Sequence, residues 1–314
     1  MLKTFTDLTR HALNGATMGT RWSALLHLPA NFDVTPARTA MVKAVAEVDQ
    51  QMSTWKSDSD LNRLNNAKPG EWVTLPVQLL TVLGAGLSIG QASGGAFDIG
   101  MGDAISAWGF GPQELNEERI KAARLVRRSP AHDMLELDRA NGRAKKHAPM
   151  RFDLNGIAKG YGVDRLMQVA CEHGIDAGLF AIDGELRALG TQPDGGGWTI
   201  AIEAPDLQQR SAHSILDLQD AAIATSGDYR HWIDIGHRRL SHTMDPRLGM
   251  PLGKSPASVT VVASDCMSAD AWATAMMVMG AEKGLLLAEK LGLSALFLSQ
   301  DDQKARGGGL FAKA

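Results

Sequence analysis

The strand-like runs of this chain follow one another across short turns as often as they are separated by helical stretches, and that limits the sheet they can build. GLFAIDGELRALG (178–190) is followed closely by WTIAIEAP (198–205), and MLELDRANGRAKKHA turns at Asn141-Gly142, a pair suited to a hairpin. DAAIATSGDYRHWIDIGHRRLSHTMDP reads as successive strands with a turn at Gly236-His237. Short turns join antiparallel neighbours, whereas a parallel pair needs a crossover of about a dozen residues or more. The expected fold class is therefore α+β, a largely antiparallel sheet with packed helices, and not a doubly wound parallel sheet.

Helical periodicity fills the gaps. MGTRWSALLHLP (18–29) reads as a strand, and Met41, Val45, Val48 and Met52 then recur at helical spacing. SDSDLNRLN, with Ser57 three residues before Asp60, predicts a capped short helix. PVQLLTVLGAGLSIGQAS (76–93) predicts an apolar helix stopped by Gly94-Gly95, and NEERIKAARL an exposed one. SVTVVAS feeds a helix through SADAWATAMM (268–277), followed by a helix to about Leu291 and a last strand, LSALFLSQ. Residues 1–17 are read as an N-terminal extension and 18–314 as one domain, with no repeat or long linker.

A formal net charge of -3 and the lack of a long basic run argue against nucleic-acid binding. No apolar run approaches the roughly eighteen residues that span a bilayer, so membrane insertion is not expected. Lys3, Asp7, Arg10 and His11 interrupt the start, which lacks the apolar core of a signal peptide. With Met1 as the natural start, the expected location is the cytoplasm. Cys171 and Cys266 are too few for a disulfide framework, lack zinc spacing, and are read as buried thiols.

Chemistry enters where polar residues interrupt apolar runs. Asp270 and Thr274, four apart on a helix, would project side by side from an apolar wall. A buried carboxylate requires hydrogen bonds, a basic partner or a cation. Taken alone, the ten residues favour the plainer account, capping by Ser268 or Asp270 with Thr274 bonding back to the Asp270 carbonyl. FDLNGIAKGYGVDRL carries Asp153, Asn155 and Gly156 from a strand end to a helix mouth with Lys159 in the first turn, an arrangement that attracts phosphate. An ordinary Asn-capped helix with a surface lysine is the alternative. SGGAFDIGMGDAISAWGFG (93–111) is too irregular for a regular element. Its glycines let the chain approach a ligand, or Phe97, Trp108 and Phe110 plug it into the core. SHTMDPRLGMP sets His242 three residues before Asp245-Pro246 in a rigid turn, where a nearby carboxylate would fix the imidazole tautomer and raise its basicity; a surface or structural histidine, as most of the nine are, is the alternative. ATSGDYRHW clusters Thr225, Ser226, Asp228 and Tyr229, for which a turn stabilised by Asp228 is the plain account.

The order of these stretches is more specific than any one of them. MGTRW, MSTWKSDSDLNRLN, GGAFDIGMGDAISAWGFG, FDLNGIAKGYGVDRL, IDGELRALG, ATSGDYRHW, SHTMDPRLGMP and SADAWATAMMVMG run in sequence over residues 18 to 280. In that order the chain resembles the ApbE family of FAD:protein FMN transferases, whose pattern reads MGT, MSTY, GAFD with WGF, DLSGIAKGYAVD, GGE, TSGDY, SHIIDPRTG and ADAxATA. The resemblance implies an ApbE-like, T-fold-related architecture of two lobes around a central FAD cleft. It also implies a Mg²⁺-dependent enzyme that cleaves the pyrophosphate of its substrate FAD. FMN would pass through a phosphoester to a threonine or serine of an acceptor flavoprotein, with release of AMP.

Residue by residue, the resemblance makes Asp270, Thr274 and the carbonyl of Ala158 the magnesium ligands. Hard oxygen donors, few protein groups and substrate phosphate suit that ion. Lys159 would neutralise the pyrophosphate, and His242 would take the proton of the incoming hydroxyl, with Asp245 as orienter or alternative base. Met18, Trp55, Ala96, Phe97, Asp98, Gly184, Glu185, Thr225 and Ser226, with Lys159 and His242, would line the FAD pocket. Trp55 replaces tyrosine, Asn155 a serine, Asp183 the first glycine of GGE, and RLGMP stands for RTGRP. The acceptor is expected to be a cytoplasmic flavoprotein. Two other activities fit the same motifs: an FAD pyrophosphatase using water as acceptor, and a non-catalytic FAD-binding accessory protein.

Overall fold

The computed structural model describes residues 8–125, 128–206, 210–228, 232–235, 238–253, 256–299 and 305–312. The hairpin β1 (Leu8–Thr17) and β2 (Thr20–Pro29) leads into helices α1 (Thr35–Met52) and α2 (Asp60–Asn66), strand β3 (Trp72–Thr74) and helix α3 (Val77–Ala92). Short helices α4 (Gly102–Ala107), α5 (Glu117–Leu125) and α6 (Ala131–Met134) precede β4 (Leu135–Asp138) and β5 (Arg143–Lys146). Helix α7 (Ala158–Glu172) is followed by β6 (Gly178–Ile182), β7 (Glu185–Leu189), β8 (Trp198–Glu203), β9 (Ala212–Leu218) and β10 (Ala222–Gly227). Then come β11 (Trp232–Ile235), β12 (Arg238–Ser241), β13 (Met244–Asp245), β14 (Met250–Pro251), β15 (Ser258–Ala263), α8 (Cys266–Leu291), β16 (Ser294–Leu298) and β17 (Ala305–Gly308).

Among the described residues, eight strands form the main sheet in the order β1-β2-β6-β7-β10-β15-β16-β17, with every neighbouring pair antiparallel. This is the α+β, antiparallel architecture expected from the turns. Period-2 patterning sets its two faces. On β10, Ala222 and Ala224 join Leu26, Phe180, Val163 and Met41 in a core beneath α1 and α7, while Ile223 between them joins Trp198, Leu218 and Leu296 on the opposite face. The β8–β9 hairpin covers that second face. Strand β15 is buried at every position, as a strand held between two neighbours and packed against α8 must be. Among the described residues no helix is long and apolar enough to cross a membrane.

Several local expectations change. The segment expected to be an N-terminal extension forms β1 from Leu8 onward, paired with β2 along its length through Thr17↔Thr20. Ser59, not Ser57, caps α2, accepting from the Asn62 amide at 3.0 Å. The 93–111 stretch contains the regular helix α4, preceded by a 3-10 turn at Ile99–Met101. Helix α7 has Ile157 at its N-cap and no side-chain cap, so the Asn-capped alternative does not hold, and residues 151–157, which lead into it, are turn and irregular backbone and not the expected strand end. Asp265, rather than Ser268 or Asp270, caps α8 by accepting from the Ser268 amide at 2.8 Å. Gly280, with φ of 76°, breaks α8 into the two helices anticipated there. Cys266 is buried but Cys171 is exposed. The Gly236-His237 turn and Tyr229 lie outside the described residues.

Candidate functional site

One edge of the main sheet gathers the turns that matter. Trp22↔Ile182 pairs β2 with β6, which puts the Met18-Gly19 turn before β2 beside the Asp183-Gly184 turn after β6. Ile223↔Leu186 brings the end of β10, with Thr225 and Ser226, to the same edge. Facing it are the N-terminus of α7 and the first turns of α8. Between them lies a cleft of about 1060 Å³.

The two helices meet at Gly160. Its amide donates to Asp270 Oδ2 at 3.0 Å, and a Cβ there would lie 2.3 Å from the Cys266 carbonyl oxygen and 2.8 Å from Asp270 Cβ. Only glycine permits that approach. Asp164, one turn further along α7, accepts from the Cys266 and Met267 amides, each at 2.9 Å, and pairs with Arg187. It ties the start of α8 to α7 and β7. Gly160 and Asp164 carry no sign in the sequence beyond standing inside a motif.

Asp270 is buried at 4% exposure, and burial first, then the charge of Glu185, pushes its carboxyl up to about 8. Thr274, one turn on, does not bond back to its own helix as the alternative account required. Its Oγ1 lies 3.1 Å from Ser226 Oγ, and a Cβ on Gly156 would stand 3.0 Å from it. The hydroxyl thus packs on the Asp153–Ala158 turn at Gly156, where Asp153 accepts from the Asn155 amide at 2.9 Å, while the carboxylate meets the first turn of α7 at the Gly160 amide. The set contains hard oxygen donors and one carboxylate. Such a set, poor in imidazole and thiolate, is of the kind that suits a hard cation.

Lys159 Nζ lies 2.8 Å from Glu185 Oε1 and 3.3 Å from Asp183 Oδ2. Burial alone would lower the Lys159 ammonium, but Glu185, Asp270 and Asp183 outweigh it and hold it above the ordinary lysine range. Burial raises the Glu185 carboxyl, against the pull of Lys159, and its Oε2 is buried with no hydrogen-bond partner among the described residues.

The remaining expected residues line the same cleft, with one exception. Trp55 is 65% exposed at its margin. Ala96, Phe97 and Asp98 contribute from the turn after α3, where Asp98 accepts from the Gly100 amide at 2.7 Å and the Ala131 amide at 3.2 Å. The two readings of the 93–111 stretch both apply. Trp108 is buried and donates from Nε1 to the Gly249 carbonyl at 3.1 Å, whereas Phe110 lines the cleft edge-on to His242, with ring centroids 6.5 Å apart. Trp108 thereby holds the turn between β13 and β14, which follows His242 in the chain. Asp245 is the exception. It stands outside the cleft lining, and its Oδ1 accepts from the Arg247 amide at 2.8 Å within its own turn.

This fold is that of solved flavin transferases. The flavin transferase ApbE from Vibrio cholerae superposes with a TM-score of 0.85 at 33% identity, covering 96% of this chain and 97% of that one. The apo form of the Pseudomonas stutzeri flavinyl transferase ApbE gives 0.83 at 33% identity, covering 96% and 95%. A relative from Vibrio cholerae, an FAD:protein FMN transferase, is 36% identical over 296 residues, 92% of this chain and 87% of the relative. The sequence model of the ApbE family matches residues 18–297, and this chain belongs to that family.

Proposed function

We propose that this chain is a Mg²⁺-dependent FAD:protein FMN transferase that moves FMN from FAD to a threonine or serine hydroxyl of an acceptor flavoprotein. The observation that carries the reading is the meeting of α7 and α8, which sets Asp270 and Thr274 against the turn ending in Ala158, with Lys159 beside them in the cleft. An oxygen set with one buried carboxylate raised to about 8 is short of positive charge, which suits magnesium held by Asp270, Thr274 and the Ala158 carbonyl. When bound, that ion would supply Lewis-acid stabilisation of the diphosphate charge.

The chain's own residues do the rest. Lys159 binds the diphosphate, and Phe97, Trp55 and Met18 offer apolar surface to the rings. His242 accepts the proton of the acceptor hydroxyl as its oxygen bonds to the phosphorus on the FMN side. The bond from that phosphorus to the bridging oxygen breaks, and AMP departs with the electron pair. Asp245, fixed in its own turn, supports the His242 loop rather than touching substrate.

Incubating the protein with FAD and Mg²⁺, with and without a candidate acceptor, tests the reading. The expected result is AMP release coupled to an FMN-sized mass gain on the acceptor. AMP release that is the same without acceptor identifies a pyrophosphatase, and FAD binding without AMP identifies a binding protein.

A further inference from the structure

Asp183 occupies a position that an ordinary residue avoids. It is the first residue of the two-residue turn between β6 and β7, closed by Ile182↔Glu185, and its φ is +56°. At such a turn glycine is the usual choice, although aspartate bears the left-handed region better than most side chains. A Cβ on the next residue, Gly184, would meet nothing within 4 Å, so the turn is not crowded. No packing demand accounts for a carboxylate there.

What the carboxylate does is reach Lys159. Its Oδ2 lies 3.3 Å from Nζ, with the Asp183 side chain 51% exposed and the Lys159 side chain 28% exposed. Lys159 already has a partner in Glu185, which is buried and closer, at 2.8 Å. The second carboxylate is therefore superfluous for charge balance and stands on the open side of the ammonium, within the cleft lining. Counting Asp270, three carboxylates surround one lysine.

We propose that Asp183 is a positioning residue that competes with an incoming diphosphate for Lys159, so that the cleft holds FAD more weakly than it would without that carboxylate. The inference rests on the flavin-transferase reading of the site. When the diphosphate enters, Lys159 exchanges Asp183 for phosphate oxygen and keeps Glu185. When the products leave, Asp183 takes the ammonium back. Because the contact is partly exposed, the competition weakens in salt.

FAD and riboflavin affinities of the unaltered protein, Asp183→Asn and Asp183→Gly, with magnesium chelated and with magnesium present, test this. Riboflavin lacks phosphate and reports the ring pocket alone. Both variants should bind FAD about fivefold more tightly at low salt, the size of an exposed ion pair, with the gain shrinking at high salt and riboflavin unchanged. Asp183→Gly also removes the left-handed side chain, so loss of fold is not expected to confuse the result. Weaker FAD binding in both variants would mean that Asp183 holds Lys159 ready for substrate, and equal changes for FAD and riboflavin would mean a merely structural turn; either overturns the competition. An unaltered protein that binds no FAD under either condition overturns the transferase reading and this inference with it, whereas one that binds FAD with an affinity the variants leave unchanged overturns this inference alone.

Discussion

Replacing Gly160 with alanine tests the helix contact on which the site depends. The new Cβ would lie 2.3 Å from the Cys266 carbonyl oxygen, 2.7 Å from its carbon and 2.8 Å from Asp270 Cβ. Ordinary contacts begin near 3.4 Å, so α7 and α8 must part by about 1 Å. Two of the obstructing atoms are backbone and cannot rotate aside. Overpacking of this kind costs about 1–3 kcal/mol, and alanine returns about 1 kcal/mol of helix propensity, leaving a net loss of about 0–2 kcal/mol and a melting temperature lower by at most a few degrees. The effect on the site should be larger. A separation of about 1 Å lengthens the Gly160 amide bond to Asp270 and spreads a donor set that magnesium needs in near-octahedral geometry, so magnesium affinity should fall at least about tenfold. Thermal denaturation and a magnesium titration of AMP release measure both. Gly162→Ala is the control, since its Cβ would meet only the side-chain ends of Ile182 and Met18. A Gly160→Ala protein with unaltered melting and unaltered magnesium dependence would refute the close packing and with it the site built on that packing.

Asp270→Asn should abolish magnesium-dependent turnover yet stabilise the metal-free protein. A carboxyl raised to about 8 when folded binds protons more tightly than when unfolded, so stability with chelator falls as pH rises from about 4 to 8, by at most about 4 kcal/mol at pH 7. The asparagine variant should lack that part of the slope; a metal-free unaltered protein that instead gains stability over this range contradicts the assignment. His242→Ala should leave FAD affinity within about twofold by fluorescence and slow transfer about 10²–10⁴-fold; lost FAD binding would mean that His242 holds FAD and is not the base. Asp164→Ala leaves the Cys266 and Met267 amides without their acceptor, at about 1–3 kcal/mol, and should weaken magnesium binding at unchanged riboflavin affinity, which parallel ligand titrations would show.

The parts of the fold legible in the sequence are those with a local cause. The amphipathic spacing of Met41, Val45, Val48 and Met52 places them all in the buried face of α1, and Asn141-Gly142 does lie in the β4–β5 turn, Gly142 with φ of 63°. Parts set by distant partners were not legible. Leu8–Thr17 alternates poorly, LTRHALNGAT, and becomes a strand because β2 offers it an edge. The caps Ser59 and Asp265 cannot be told from nearby residues in the sequence, because several oxygen-bearing side chains stand in each stretch and only the backbone path selects one. In the site, all the expected residues except Asp245 reached the cleft. Asp245 looked like a partner for His242 from spacing alone, but a turn residue three positions away is as free to bond its own backbone, as it does with the Arg247 amide.

The scatter of the motifs over 18 to 280 follows from the topology of the sheet. In an antiparallel sheet the turns that join strands alternate between its two edges, so segments far apart in sequence share an edge when an even number of strand reversals separates them. Met18-Gly19, Asp183-Gly184 and the Thr225-Ser226 end of β10 share one. That edge also bears backbone cost. Of the three non-glycine residues with positive φ among the described residues, Met18 at 45° and Asp183 at 56° both line the cleft. For Met18 this costs roughly 1–2 kcal/mol with no local hydrogen bond from the side chain to offset it, and for Asp183 less. Strain that persists in two adjacent turns at one edge, while the chemistry-bearing helices face that same edge, is the mark of a surface shaped to meet a ligand rather than to fill a core.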